Sequence, residues 1–510
     1  MLTNMLTERY GNMIDGMISF YDRVIIRGTL PGWNYAGGMT SFLYGQGIQI
    51  FDYVKFAQPL TQAVRDNAER IARENGVVIE FIRKIGAFRK EDRVKEILKQ
   101  RGTRAGLVHI FSATETCDNY RPWHDKTTGK TYLKPDSGKC LHYYFYFIDE
   151  KFGLCYLRVP TWCPFNLQFY FNGHNWLAAK MDKEGIGYEL SDNAFLSVGN
   201  YARAQELADG IRVEELHNAL DAFARRYCPV GEQFGFRNHW SIAQAEYSTD
   251  IIFKRQSDLG PLYESLVRTA IHSVKPDNIA TFLGRKLHGL YQGEMGNNFN
   301  TRIQGTRIKH QMGAVSIKMY DKFGIILRIE TTANDVSEFT HVREVQKRDG
   351  SVVTQQARMK KNIYSLYALA VILKASNRRY LEFISTFDDP SQGIKNLNKV
   401  SKTVKTENRN YRGFNFFSED DQSLFEVLAR GEFNIKGLRN KSLRAYFPEK
   451  SSSAISAILK RLRTHGLIRK VKNLCKYYLT KIGKAVITAG LAVKQMILVP
   501  ELAGIPIFAR

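Results

Sequence analysis

Two runs of alternating residues around a short turn place the strongest constraint on how this chain folds. Residues 314–332, AVSIKMYDKFGIILRIETT, alternate apolar and polar side chains on both sides of the tetrapeptide DKFG. Such alternation predicts an antiparallel β-hairpin. We expect a three-residue loop from Lys322 to Gly324, with Gly324 in the left-handed conformation and Asp321 opposite Ile325.

This register divides the hairpin into an apolar face and a polar face. A loop of two or four residues would mix the two faces, so the pattern favours a loop of three. Ser316 then lies opposite Glu330, and Lys318 lies opposite Arg328. The apolar face comprises Val315, Ile317, Met319, Leu327 and Ile329, and the polar face comprises Ser316, Lys318, Tyr320, Arg328 and Glu330. The polar face therefore gathers a carboxylate, a phenol and two cations.

Two other segments repeat the pattern of an aromatic-rich strand that runs into an aspartate. Residues 142–161, HYYFYFIDEKFGLCYLRVPT, place Asp149 before a second Lys-Phe-Gly turn. The segment SFYDRVIIRGTL near the N-terminus places Asp22 in a strand. The three segments are either copies of one element or separate hairpins that obey the same turn chemistry.

Asp22, Asp149 and Glu330 are the candidate catalytic and metal-binding residues. A hard cation such as Mg²⁺ takes oxygen ligands, and a metal-dependent phosphodiester site needs several carboxylates from different strands. Lys318 and Arg328 are candidates for binding the phosphate. The structural alternative is that each aspartate caps a hairpin turn and that Glu330 forms a surface ion pair with the two cations.

The hairpin resembles the tyrosine-dependent replication initiators of plasmids and phages. The shared residues are YDK at 320–322 and LRIE at 327–330. The resemblance implies a metal-binding role for Glu330 and a nucleophilic tyrosine. Candidates for that tyrosine are Tyr364, Tyr367 and Tyr380. The chain departs from the family in having no His-apolar-His metal pair, and a ribonuclease-H-like transposase or nuclease with Asp22 on its first strand is the other enzymatic interpretation.

Near the C-terminus, residues 451–483 predict a helix followed by a basic β-hairpin. Apolar residues recur at helical spacing from Ile455 to Leu462, and Ser451 and Gly466 suit the two ends of the helix. Two shorter amphipathic segments precede this helix and a fourth helix follows Thr480. This order, with the stretch Tyr477, Leu479, Thr480 and Gly483, resembles the winged-helix domains of bacterial regulators, whose third helix enters the major groove.

The charge of this region indicates a nucleic-acid partner. Residues 436–476 hold twelve lysines and arginines and a single acid, Glu449. Such a stripe neutralises phosphates and releases counterions. A winged helix that binds protein or packs on its own chain is the alternative. The candidate nucleic-acid-binding residues are Arg439, Lys441, Ser456, Lys460, Arg461, Arg463, Lys470 and Lys472, with Lys318 and Arg328 of the hairpin.

The composition of the whole chain agrees with this partner. The net charge is +24, which suits DNA or structured RNA. The sequence has neither an apolar run of 18 residues nor a signal peptide, so we expect a cytoplasmic protein without a membrane partner. Its six cysteines are far apart and include no Cys-x-x-Cys pair, which predicts reduced core thiols.

Shifts in composition predict several regions along the 510 residues. Residues 392–417 are polar and basic without an apolar period, which is typical of a tether. The predicted regions are an N-terminal α/β region at 1–115, a β-rich and helical region at 116–300, a β-hairpin region with a helix at 301–391, the basic linker at 392–417, the winged helix at 418–490 and a tail at 491–510.

Over most of its length the chain also resembles a widespread bacterial family of proteins of similar size. The matching stretches are residues 156–178, 319–332 and 377–383. The resemblance is specific but supplies no chemistry, and it is consistent with a mobile-element or phage origin.

The sequence therefore predicts an α+β, multidomain protein with an antiparallel β-hairpin-rich core, helical insertions and a C-terminal winged helix. The predicted function is nucleic-acid binding with metal-dependent DNA processing, of the nuclease or transposase type found in mobile elements. The alternative is a non-enzymatic DNA- or RNA-binding regulator or a ribonucleoprotein component. Dependence on a divalent metal separates the two, because a regulator leaves its nucleic acid intact.

Overall fold

A computed structural model of the chain describes residues 5–83, 86, 88–285, 295–302, 305–385, 390–406, 409–471 and 475–503. Helices and strands are mixed along the sequence, which confirms the predicted combination of α and β structure. The fold divides into two compact units. Unit 1 comprises residues 13–254 and 314–377, and unit 2 comprises residues 2–12, 255–313 and 378–510. Each unit is assembled from segments that lie apart in sequence, unlike the consecutive regions predicted from composition.

The strands are, in chain order, β1 Ile14–Thr29, β2 Ile79–Phe81, β3 Gly106–His124, β4 Thr131–Asp149, β5 Gly153–Pro160, β6 Leu167–Phe171, β7 Tyr188–Ser191, β8 Ala194–Val198, β9 His239–Phe253, β10 Met295–Arg302, β11 Gly305–Met312, β12 Val315–Lys322, β13 Ile326–Ala333, β14 Thr340–Gln346, β15 Val352–Arg358, β16 Val404–Thr406, β17 Arg409–Tyr411, β18 Ile468–Lys470 and β19 Tyr477–Leu479.

The helices are α1 Met5–Tyr10, α2 Ala36–Gly45, α3 Tyr53–Asn75, α4 Lys90–Arg101, α5 Gly173–Lys183, α6 Tyr201–Asp209, α7 Val213–Tyr227, α8 Gln256–Ser273, α9 Pro276–Phe282, α10 Leu366–Ser385, α11 Pro390–Ser401, α12 Glu419–Leu428, α13 Gly431–Lys436, α14 Asn440–Arg444, α15 Ser452–Thr464, α16 Lys481–Val493 and α17 Val499–Leu502. Among the helices of the described residues, none is both long and apolar enough to cross a membrane.

A large sheet forms the framework of unit 1. Its strands in this unit follow the order β12-β13-β9-β1-β6-β5-β4-β3-β2. Neighbouring strands are antiparallel except β2 and β3, which are parallel. Strands β13, β9 and β1 are consecutive in this order, so side chains that project from one face of these three strands lie close together.

The other face of the sheet carries an apolar core. Helix α7 packs there because its apolar residues recur every three or four positions, which places them on one side of the helix. Phe223 and Tyr227 of α7 contact the rings of Phe147 and Phe169 on the sheet. Buried aromatic contacts of this kind account for much of the stability of a sheet–helix interface.

The β12–β13 hairpin has the predicted loop length and faces but a different register. Lys322 pairs with Ile326, so the three loop residues are Phe323, Gly324 and Ile325. Gly324 has φ +72°, as its predicted left-handed conformation requires, and its N–H donates to Asp321 Oδ1. The loop lies one residue further along than expected. Pairing therefore shifts by two residues, which keeps each side chain on its face but changes its partner.

The new pairing replaces the predicted contact between two cations by an ion pair. Lys318 lies opposite Glu330, and Tyr320 lies opposite Arg328. The polar face is also buried, since Glu330 is 2% exposed and Arg328 is 0% exposed. The alternative that Glu330 forms a surface ion pair is therefore wrong.

In unit 2, residues 418–493 form helices and a hairpin around one core. Helix α15 places Ile455, Leu459 and Leu462 in this core, and its N-terminal cap is the Ser451 hydroxyl, which accepts the N–H of Ala454. The hairpin β18–β19 follows, and a bridge from Leu438 to Tyr477 adds a third backbone segment to it. Further core residues come from α12, α14 and α16.

Residues 392–417 are not a tether within the described part of the chain. Helix α11 and the short strands β16 and β17 occupy this stretch, and Val400 and Phe414 are buried in the same core as α15. The guanidinium of Arg461 lies 3.8 Å from the centroid of the Phe414 ring and donates to the carbonyl of Gly413. Composition predicted a tether because the few apolar residues of this stretch have no period, but those few are the ones that pack.

The six cysteines are free thiols, as predicted. Cys155, Cys163 and Cys228 are buried, whereas Cys475 is exposed. The prediction of core thiols therefore holds for only part of the set.

Candidate metal centre

Three acidic side chains meet on the polar face of the sheet. They are Asp22 on β1, Glu246 on β9 and Glu330 on β13. One carboxylate oxygen of each lies within 4.8 Å of those of the other two. Asp22 and Glu330 are 4% and 2% exposed, and Glu246 is partly exposed. Three neighbouring strands thus place three carboxylate oxygens close together.

A β-bulge explains how Asp22 joins the other two acids. Tyr21 pairs with Tyr247 and Arg23 pairs with Glu246, so Asp22 is an extra residue on β1. Such a bulge redirects a side chain and is common beside functional sites. On the other side of β9, Thr332 pairs with Glu246, and Glu330 therefore lies on the same face one pair further along.

Two side chains of β12 hold the carboxylate of Glu330. Lys318 Nζ lies 2.5 Å from Glu330 Oε1 and 3.4 Å from Glu246 Oε1. The Tyr320 hydroxyl donates to Glu330 Oε2 at 2.7 Å. Both oxygens of Glu330 therefore have donors, and Lys318 also joins the two glutamates.

A second network of side chains contacts Asp22. Arg328 donates from Nε and Nη2 to the two oxygens of Asp250 at 2.6 Å each, and its Nη1 lies 3.4 Å from Asp22 Oδ1. His174 Nδ1 lies 3.2 Å from Asp22 Oδ1, and its Nε2 lies 3.7 Å from Asp250 Oδ2. The amide of Asn193 donates to both oxygens of Asp22 at 2.7 and 2.8 Å. Asp22 is therefore fixed in one orientation.

His174 reaches this network because α5 begins very close to β1. A Cβ atom at Gly173 would lie 1.9 Å from the carbonyl oxygen of Tyr21, so only glycine allows this approach. The Asn172 side chain caps the helix by accepting the N–H of His174. The segment Asn172-Gly173-His174 therefore serves to bring an imidazole beside Asp22.

Burial and neighbouring charges shift the pKa values of Glu246, Asp22 and Lys318. Burial raises the pKa of Glu246, and the neighbouring Glu330 carboxylate raises it further. Burial alone would raise the pKa of Asp22, but Arg328 and His174 outweigh it and hold that pKa well below its usual range. Burial lowers the pKa of Lys318, but Glu330 and Glu246 outweigh this effect, so its pKa is raised and it stays charged. A cation near Glu246 would relieve the remaining repulsion.

The residue types and their positions fit a divalent cation. Mg²⁺ and Mn²⁺ take oxygen ligands and are commonly bound by two or three carboxylates with water. The three acids would serve as ligands, with Asn193, Tyr320 and Lys318 orienting them. An ion held there would supply Lewis-acid chemistry to an oxygen-containing substrate.

The predicted site residues are only partly brought together. Asp22 and Glu330 are neighbours, and Lys318 contacts Glu330. Asp149 lies instead at the turn between β4 and β5, where its Oδ1 accepts the N–H groups of Lys151 and Phe152. Arg328 is fully buried and occupied by Asp250, so in this structure it supports Asp22 and is not placed to contact a nucleic acid.

Four residues of the centre were missed by the sequence analysis: Glu246, Asp250, His174 and Asn193. A signal was present for two of them. In β9, residues Gln244, Glu246, Ser248 and Asp250 alternate with apolar or small residues, which is the pattern of a strand with one polar face. His174 and Asn193 lie in loops and helix ends, where no periodicity marks them.

The three candidate nucleophilic tyrosines lie in different surroundings. Tyr380 is fully buried, with its hydroxyl 3.2 Å from His310 Nε2. The hydroxyl of Tyr364 lies 2.9 Å from His217 Nδ1, and Tyr367 is 61% exposed. None of the three is among the described partners of the acids.

Some candidate nucleic-acid-binding residues of the C-terminal region are exposed, whereas others form hydrogen bonds within the protein. Arg461 forms two hydrogen bonds with Asp421, and Ser456 accepts one from Asn440. Those two residues hold elements together. The exposed candidates are Arg439, Lys441, Lys460, Arg463 and Lys470. Lys472 lies outside the described residues.

Comparison with known proteins supplies no relative for this chain, since no family model, curated protein or solved structure matches it. The resemblances to replication initiators, winged helices and a bacterial family therefore stay predictions.

Proposed function

We propose that this protein cleaves or transfers phosphodiester bonds of a nucleic acid with the help of a divalent metal. The observation that supports this proposal is the convergence of Asp22, Glu246 and Glu330, whose carboxylate oxygens lie within 4.8 Å of one another. Buried carboxylates placed on three adjacent strands repel one another, and their repulsion is relieved when they share a cation. A surface ion pair would have no need of this arrangement.

Around the acids, the chain offers groups that suit a phosphate. Arg23 follows Asp22 in sequence and is exposed, and it lies 5.7 Å from the centroid of the Tyr170 ring. A guanidinium at this position can hold a phosphate through paired hydrogen bonds. Lys318 neutralises part of the charge of the two glutamates, so an anionic backbone can approach.

We also infer that residues 418–493 form a winged helix that binds the nucleic acid, with DNA as the favoured partner. The order α12, α14, α15 and the hairpin β18–β19, with the Leu438–Tyr477 bridge, supports this inference. The exposed side of α15 presents Lys460 and Arg463, as a helix in a major groove would. A DNA-processing protein of a mobile element, of the nuclease or transposase type, combines these two features.

An assay of metal-dependent cleavage tests the proposal. We expect the full chain to nick or join labelled DNA in the presence of Mg²⁺ or Mn²⁺, and EDTA to stop the reaction. Single-stranded DNA, duplex DNA, and structured RNA serve as substrates, with nucleic acid co-purified from the expressing cell as the native candidate. Absence of any metal-dependent product on all of them would overturn the enzymatic proposal.

The second candidate is a non-enzymatic DNA- or RNA-binding regulator or ribonucleoprotein component. The exposed cations of α15 favour it, because they bind phosphates whether or not the acids are catalytic. Under this proposal the acids and Lys318 form a buried network that only shapes the sheet.

Replacing Lys460 and Arg463 together by alanine tests the winged-helix contact. We expect DNA binding to weaken by about 1–3 kcal/mol and the salt dependence of the binding constant to fall, because two phosphate contacts are lost. Titrations at several salt concentrations measure both quantities. The matched control replaces Arg212 and Arg225, which are exposed on and beside α7, and should bind as the wild type does. Equal affinity and equal salt slope in the two double variants would place the contact elsewhere.

A further inference from the structure

A cavity of about 830 Å³ lies within unit 2, whereas the three acids belong to unit 1. It is lined by the segment from Ser273 to Phe282, by the C-terminal part of α10, by β18 and β19, and by the first turns of α16. Pockets for small molecules in proteins have volumes of roughly 300–1,000 Å³. This cavity is therefore large enough for a ligand of moderate size.

The floor of the cavity is apolar and partly aromatic. Phe282 and Phe383 lie side by side, with ring centroids 5.2 Å apart and an angle of 62° between the planes. Ile487 of α16 adds an aliphatic surface, and both it and Phe282 are almost fully buried. Phe383 is less buried, so a flat aromatic group can contact its ring from within the cavity.

The rim of the cavity is cationic. Five cationic side chains line the cavity, against three acidic ones. Asp277 is already paired with Lys484, whose Nζ lies 3.0 Å from its Oδ2. Lys275, Arg469 and Lys481 are exposed, and among the residues that the structure describes no carboxylate lies within ion-pair distance of any of them. An anionic group at the rim would meet three cations from three separate elements.

Polar uncharged groups also line the cavity. They are the amide of Asn278 and the hydroxyls of Thr281 and Thr488. Amides and hydroxyls can both donate and accept hydrogen bonds, which suits the edge of a heterocycle or the hydroxyls of a sugar. The lining thus combines aromatic, polar and cationic groups.

From this combination we propose that the cavity is a binding site for a mononucleotide. The base would lie against Phe383, and the phosphate would lie at Lys275, Arg469 and Lys481. The site needs neither the three acids nor a metal, so it stands apart from the proposed phosphodiester chemistry.

Isothermal titration of the full chain with AMP, GMP, CMP and UMP, in EDTA and without nucleic acid, tests the site. We expect at least one mononucleotide to bind about tenfold or more tightly than inorganic phosphate, because the floor contributes only when a base is present. Replacing Lys275 and Lys481 together by glutamate should weaken that binding by about tenfold or more. The matched control replaces Lys395 and Lys402 together by glutamate, since both are exposed lysines of the same unit outside the cavity, and it should bind as the wild type does.

A second variant controls for the possibility that the charge-reversed protein misfolds. Thr488→Trp fills the cavity without changing charge, and it should abolish nucleotide binding while circular dichroism stays that of the wild type. No binding of any mononucleotide, equal affinity for inorganic phosphate, or unchanged binding in folded variants of both kinds would overturn the proposal. Loss of metal-dependent cleavage would not affect these outcomes, since the titration involves neither the metal nor the acids.

Discussion

Replacing Glu330 by glutamine should abolish metal-dependent turnover while nucleic-acid binding persists. Glutamine keeps the shape of the side chain and one oxygen that can accept from Tyr320, but it removes one of three negative charges and one of the two oxygens that Lys318 and Tyr320 contact. Loss of a group that acts on charge in the transition state typically lowers the rate by about 10³-fold. Single-turnover cleavage in Mg²⁺, with binding measured in EDTA, separates the two effects.

Asp149 provides the matched control, because sequence reasoning placed it beside Glu330 as a candidate and the structure does not. Its carboxylate accepts two backbone N–H groups in the turn between β4 and β5, and asparagine can make the same contacts. Asp149→Asn should therefore cleave at the wild-type rate, whereas Glu246→Gln should resemble Glu330→Gln. Full activity in the Glu330 variant would contradict a catalytic role for this centre.

The hairpin around Gly324 shows how far a local pattern determines structure. Alternation fixed which face each residue occupies, and glycine preference fixed where the left-handed residue lies. The pairing also depended on Lys322, which forms one more strand pair, with Ile326, at the end of the hairpin. Lys322 contacts Asn193 and Asp192 of the β7–β8 turn, which is distant in sequence. Nothing within the hairpin itself indicates that partner.

The candidate site was predictable only where a single strand has a recognisable pattern. Glu330 lies in a strand with strong alternation and Asp22 follows an aromatic pair, and both were found. Glu246 and Asp250 lie in an alternating strand too, but their importance follows from β9 lying between β1 and β13. Strand order depends on contacts far apart in the chain, and the pattern of one strand does not reveal it.

The same distinction holds for unit 2. The capping serine, the apolar stripe of α15 and the turn at Gly466 are local features, and each is present as expected. Arg461 was predicted to contact nucleic acid because it belongs to a basic run. Its two hydrogen bonds with Asp421 depend on how α15 packs against α12, which charge counting does not consider.

The largest effect on stability is expected for Arg328→Met. Asp22 and Asp250 have lowered pKa values in the folded protein, because Arg328 outweighs the effect of burial. Their contribution to stability is therefore present above the unfolded-state pKa of about 4 and is lost as the pH falls through the folded-state values. Without Arg328, the two buried carboxylates lose the cation that contacts both of them, which should cost about 3–5 kcal/mol at pH 7. Urea unfolding measures this loss.

The pH dependence of that loss distinguishes an electrostatic role of Arg328 from simple packing. In the variant, burial dominates and raises the pKa of the two aspartates, so the folded state takes up protons as the pH falls from 7 toward 5. The stability deficit relative to the wild type should therefore shrink over this range. Arg203→Met is the control, because Arg203 forms an exposed pair with Glu184 at 46% and 34% side-chain exposure and its loss should leave the stability nearly unchanged. A deficit for Arg328→Met that is independent of pH would mean that the methionine is poorly packed and that Arg328 does not hold Asp22 by its charge.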